Sequence, residues 1–135
     1  GGSKSMLIDF ASTGVGYGMT DVAMLLTHSV APHELANGGE QLLLDSYLAA
    51  LAKQRAPGAT AYPRELAMRH YRLGVVDYGR FMVSRFWGDA SREVFEKKKD
   101  SPNTTLPNRD VQAALRFVER IDAALSFFET EQMPK

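Results

Sequence analysis

The sequence predicts a mainly all-α protein, a bundle of four to five helices with one short N-terminal strand. Nearly everything after Thr20 repeats its apolar residues at helical spacing, and the one stretch that reads as a strand, Met6 to Phe10, has no partner downstream. Size agrees: 135 residues, 44% hydrophobic and 24% charged, describe a single helical domain, 1–135, with a modest core. A lone strand leaves its backbone groups unpaired, so the domain reads as a fragment of a larger protein.

Residues 1–5 are either a tag remnant or a native turn. Met6 to Phe10 is apolar apart from Asp9 and is bounded by small residues on both sides. Thr20 or Asp21 is placed to cap a first helix carrying Val22, Ala23, Leu25 and Leu26 and ending near Val30, before Pro32. A second helix is expected from about Pro32 to about Arg55, with Leu35, Leu42, Leu43, Tyr47, Leu48 and Leu51 on its buried side. Gly38-Gly39 is its weak point, which allows a start as late as Asn37. Ala56 to Tyr62 reads as a loop, and Pro63 suits the first position of the next helix.

That helix, Glu65 to Trp87, is the longest. Leu66, His70, Leu73, Asp77, Phe81 and Arg85 lie near one edge, and Tyr71, Val75, Tyr78, Met82 and Phe86 near another, a face wide enough for a central helix. A shorter helix from about Ala90 to Lys99 ends on Lys97-Lys98-Lys99, which suits the negative end of its dipole. After a loop from Asp100 to Pro107, Asn108 is expected to cap a last helix with Val111, Leu115, Val118, Ile121, Leu125 and Phe128 on its apolar stripe.

Charge and composition narrow the functions. Lysine plus arginine (16) cancel aspartate plus glutamate (16), so no net field attracts nucleic acid or an anionic membrane. The absence of cysteine excludes disulfides, thiolate nucleophiles and the common structural zinc sites. No apolar run approaches the roughly 20 residues of a membrane-spanning helix, and a cytoplasmic location is the default expectation.

Gly14, Gly16 and Gly18 invite a phosphate-loop reading. The dinucleotide fingerprint would need a glycine where Met19 stands, and the lysine of a P-loop is missing, so the glycines read as a flexible turn. Asp9 is costly to bury in an apolar strand without a partner, so it is a structural acid or a metal ligand. His28, His33 and His70 do not share a ligand spacing on one helix face; His70 reads as a hydrogen-bonded residue of the long helix. Tyr71, Tyr78 and Phe81 belong to a stripe that reads as core, with a small-substrate pocket as the alternative. Glu34, Glu40, Asp77, Asp110, Glu119 and Asp122 look like solvated helix faces, and Asn103-Thr104-Thr105 like a polar loop.

The order Leu7-Ile8-Asp9-Phe10, then Gly14 to Gly18, then Asp21-Val22-Ala23-Met24-Leu25-Leu26 resembles the kinase-like small-molecule phosphotransferases. That group includes aminoglycoside phosphotransferases, choline kinases and ecdysteroid-kinase-like proteins, in which an I-D-F or I-D-W strand, a glycine-containing loop and D-L-A-x-L-L follow one another. Leu43 to Leu51, Tyr71-Arg72-Leu73 and Asp77-Tyr78 extend the resemblance more loosely as far as Trp87.

The resemblance implies the helical C-terminal lobe of a kinase-like fold and transfer of phosphate from ATP to a small hydroxylated acceptor. Asp9 matches the acid that holds Mg²⁺ against the nucleotide phosphates. Asp21 matches an acid that braces the catalytic loop. The group's nucleotide loop, phosphate-pairing lysine and H-G-D-x-x-x-x-N loop all precede the I-D-F strand, and none occurs here. The isolated chain is therefore expected to be inert, with no catalytic residue of its own, and to self-associate through surface that its missing parts would cover. The rival expectation is a freestanding helical binding or protein-interaction module.

Overall fold

A computed structural model describes residues 14–132; the expected strand and Asp9 lie outside the described residues. Every regular element within them is an α-helix, seven in all, joined by turns and loops. They are α1 (Gly18–Ser29), α2 (Pro32–Leu35), α3 (Gly39–Gln54), α4 (Arg64–Arg85), α5 (Arg92–Lys98), α6 (Leu106–Arg109) and α7 (Val111–Gln132). The helical class holds, and the expected four or five helices become seven because two single turns stand apart from their neighbours.

The central pair is α1 on α4, and α7 packs against α4 as well, meeting α1 where Arg120 donates to Thr27. Gly74 lets the first pair close: a Cβ there would lie 2.9 Å from Thr20 Cα and 3.2 Å from Ala23 Cβ. The core comprises Met19, Ala23 and Leu26 from α1, Leu44 from α3, Ala67, Tyr71, Val75, Tyr78 and Met82 from α4, and Phe117 and Ala124 from α7. Of the two edges expected on α4, the one bearing Tyr71, Val75, Tyr78 and Met82 is buried, while Phe86 of that edge and Leu66, Leu73 and Phe81 of the other stay exposed.

Four local expectations are corrected. First, α1 starts at Gly18 with Tyr17 as N-cap, and its first turn closes through Thr20 N–H donating to Tyr17 C=O at 2.9 Å. Thr20 and Asp21 therefore lie inside the first turn, where Asp21 still complements the positive end of the dipole.

Second, the helix expected from Pro32 to Arg55 breaks after Leu35. Asn37 (φ 51°) and Gly38 (φ 88°) adopt left-handed backbone, and a Cβ at Gly39 would run into the Glu34 carbonyl. Two consecutive residues at positive φ cannot continue a right-handed helix. Downstream, Leu44 is the fully buried leucine of α3, while Leu42, Leu43 and Leu51 face outward.

Third, Asp110 caps α7, accepting from Ala113 N–H at 3.0 Å. Asn108 lies in α6, where its Oδ1 accepts from Trp87 Nε1–H at 3.0 Å and its amide donates to Thr105.

Fourth, α7 is turned relative to the expected stripe. Ala113, Phe117 and Ala124 are buried, with Ile121 packed against the core, whereas Val111, Leu115, Val118 and Leu125 are 42–52% exposed. The short α5 meets its expectation, with Lys97 and Lys98 in its last turn; its cap, absent from the sequence expectations, is Ser91, accepting from Val94 N–H.

Candidate functional site

Where α1, α3, α4 and α7 converge, the apolar core gives way to a polar cluster. Glu40 sits one residue into α3, so the break at Gly38-Gly39 sets its position. Arg120 follows Phe117 by three residues on α7 and so shares its inward face. The Glu40 and Arg120 side chains are only 17% and 14% exposed, and Arg120 Nε lies 2.6 Å from Glu40 Oε1. That N–H is not aimed along a hydrogen bond to any acceptor among the described residues, so the contact is an ion pair first.

Tyr71 completes the cluster from α4. Its hydroxyl donates to Glu40 Oε1 at 2.5 Å and accepts from Arg120 Nη2. Arg120 Nη1 donates to Thr27 Oγ1 at 3.1 Å, and the Thr27 hydroxyl in turn donates to the Ala23 carbonyl at 2.8 Å. One carboxylate, one guanidinium and two hydroxyls thus tie four helices together. Burial, more than the neighbouring carboxylate, pushes the Tyr71 phenol far above its usual range, with Arg120 opposing. A phenol so held keeps its proton and is a hydrogen-bonding group, with no role as a base.

This cluster forms part of the wall of a cleft of about 520 Å³ between α3, α4 and α7. Its walls are Met68, Val75, Ala124 and Phe127, and Gln41, Arg72, Ser126 and Thr130 add polar groups. Arg72 lies over the Phe127 ring at 4.1 Å and has no carboxylate within ion-pair distance among the described residues. Volume and lining suit a small polar molecule with an apolar body.

A second polar contact lies elsewhere. His28 Nε2 and Tyr78 Oη share a hydrogen bond joining α1 to α4. Burial lowers the imidazole from its ordinary value of 6.5 and raises the Tyr78 phenol to about 12, so both stay neutral at neutral pH. Below pH 6.5 the unfolded chain takes up the His28 proton before the folded chain does, so folding stability is lost as pH falls from 6.5 toward the lower folded value. Urea unfolding at pH about 7.5 and about 5.5 is expected to show this loss. His28→Gln should reduce it, whereas the exposed His33→Gln should leave it intact.

The expected pocket residues do not converge. Tyr71 lines the cleft, Tyr78 is buried between His28 and Phe117, and Phe81, 44% exposed, packs at a tilt against Tyr78 and edge-on against Phe86. Gly14 and Gly16 are exposed with nothing near them, and a Cβ at Gly18 would meet the Tyr47 hydroxyl at 3.0 Å. Asp21 is exposed and makes no side-chain hydrogen bond or ion pair among the described residues. His70 is hydrogen-bonded as expected, its Nδ1 lying 2.7 Å from Tyr62 Oη, with Tyr17 stacked on its ring.

Glu40 and Arg120 are the residues that the sequence pattern hides, Glu40 having read as a solvated acid. The signal for Arg120 is its place between Phe117 and Ala124, legible only once the buried face of α7 is known. Among the described residues no three His, Asp or Glu side chains gather as a metal site, and no helix is long and apolar enough to cross a membrane. No family model matches the chain, and comparison with curated proteins and with solved structures found no match.

Proposed function

We propose that the chain is the helical C-terminal part of a kinase-like, ATP-dependent phosphotransferase acting on a small hydroxylated molecule. The observation that carries this is the order of Leu7-Ile8-Asp9-Phe10, the Gly14 to Gly18 segment and Asp21 to Leu26 along the chain. It is supported by the local structure at the last of these: the helix starts directly at Gly18 and buries Ala23 and Leu26 against α4.

Under this proposal Asp9 contributes one carboxylate to Mg²⁺, which would neutralise charge on the nucleotide phosphates. Among the described residues no three His, Asp or Glu side chains gather as a site for the ion, and the nucleotide phosphates would supply further ligands. The cleft walled by Tyr71, Glu40 and Arg120 would take the acceptor: the cluster fixes α3, α4 and α7 around it, and Gln41, Ser126 and Thr130 supply groups that hydrogen-bond hydroxyls. The outward apolar stripe of α7 would be the surface through which the isolated chain self-associates.

The coding sequence upstream of Gly1 tests this at once. A glycine-rich hairpin, a lysine-bearing strand and an H-G-D loop are expected in frame. An initiating Met6 with nothing before it would instead favour a freestanding binding module using the same cleft.

A further inference from the structure

The cleft farthest in chemistry from the one above lies where the end of α1 meets the loop 99–105 and α6. It has a volume of about 350 Å³ and is lined by His28, Ser29, Asn103, Thr105 and Arg109, among others, with no carboxylate in its walls. We infer that this cleft binds the phosphate group of a small phosphorylated molecule, with Arg109 as its principal partner. The inference stands apart from the phosphotransferase proposal and uses none of its residues.

Arg109 is the unusual group. Its Nη1 donates to the Ser101 carbonyl at 3.1 Å, which fixes the guanidinium against the loop. Its Nε is buried and has no hydrogen-bond partner among the described residues, and no carboxylate lies within 4 Å of the side chain. Every other arginine beside a cleft so far described has an acid or an aromatic ring as partner: Arg120 has Glu40, and Arg72 has Phe127. The enclosed Nε is out of a ligand's reach, but Nη2 makes no hydrogen bond among the described residues, and a guanidinium held in place with that donor free and no counter-charge is the arrangement an oxyanion completes.

The remaining walls supply donors from other directions. The Thr105 hydroxyl accepts from Asn108 Nδ2, which leaves its own proton uncommitted. The side chains of Ser29 and Asn103 make no hydrogen bond among the described residues. Donors from α1, the loop and α6 thus face one space, which suits the several oxygens of a tetrahedral phosphate better than a planar carboxylate. The carbonyl end of α1 opposes an anion here, so the site depends on Arg109.

Backbone-amide NMR of the chain titrated with inorganic phosphate, and separately with glycerol 3-phosphate, at constant ionic strength tests the inference. Saturable shifts confined to the end of α1, the loop and α6 are expected. Arg109→Gln should weaken binding about tenfold or more, while the remote Lys53→Gln leaves it unchanged. Asn103→Asp places a carboxylate in the cleft without touching the bond from Arg109 to Ser101, so it should abolish binding even if Arg109→Gln fails to fold. Tighter binding of the glycerol ester assigns the site to a phosphate ester, and equal binding to free phosphate; both support it. No saturable shift, shifts centred elsewhere, undiminished binding in Asn103→Asp, or competition by acetate as strong as by phosphate would overturn it.

Discussion

Replacing Arg120 with methionine is expected to destabilise the fold by about 3 kcal/mol, because it strands a largely buried carboxylate. Glu40 would keep only the Tyr71 hydroxyl, and the desolvation of its charge would be left uncompensated. Thr27 would lose a donor at the same time. The cost is that of an orphaned charge more than the worth of the pair, so removing both charges should restore much of the loss. Urea midpoints of Arg120→Met, Glu40→Gln and the double variant measure this. A double variant more stable than Arg120→Met alone is the expected result, and simple addition of the two losses would show that the pair is not coupled.

Phe117→Ala is expected to cost about 3–5 kcal/mol, the range for deleting a fully buried ring. Phe117 is 1% exposed and packs against Tyr78 and Trp87. Leu115→Ala and Val118→Ala, two residues before it and one after, should change stability by only about 0.5 kcal/mol, because both side chains face outward. Thermal or urea unfolding of the three variants distinguishes the two faces of α7. Larger losses at Leu115 and Val118 than at Phe117 would place the helix in the orientation that its apolar spacing alone suggests.

Those two variants mark where the sequence was legible and where it was not. Helical class, the long α4 with its Tyr71, Val75, Tyr78, Met82 face, and the short α5 with lysines at its end follow from spacing and dipole chemistry that act locally. The face of α7 does not, because apolar residues occur on both of its sides; Val111, Leu115, Val118 and Leu125 make as regular a stripe as the one that is buried. Tertiary packing chooses between them, and the large ring of Phe117 lies on the chosen side.

The break at residues 36–38 was visible only as weakness at Gly38-Gly39. Asn37 at φ 51° and the approach of the Glu34 carbonyl to Gly39 turn that weakness into a turn. The polar cluster depends on both events. Glu40 reaches Arg120 because α3 restarts at Gly39 and because α7 turns Phe117 inward. Neither residue could be read as a site from its own neighbours in sequence, where Glu40 resembles any solvated helix acid.

The chemical proposal rests on Asp9 and the order of segments around it, and one measurement bears on it most directly. In the protein extended through its upstream reading frame, ATP-dependent phosphorylation of small hydroxylated acceptors is to be compared with that of the Asp9→Ala variant at matched folding. The expected result is turnover that requires Mg²⁺ and falls by orders of magnitude in Asp9→Ala, with the 135-residue chain alone inactive. Undiminished ATP-dependent turnover in Asp9→Ala would contradict it.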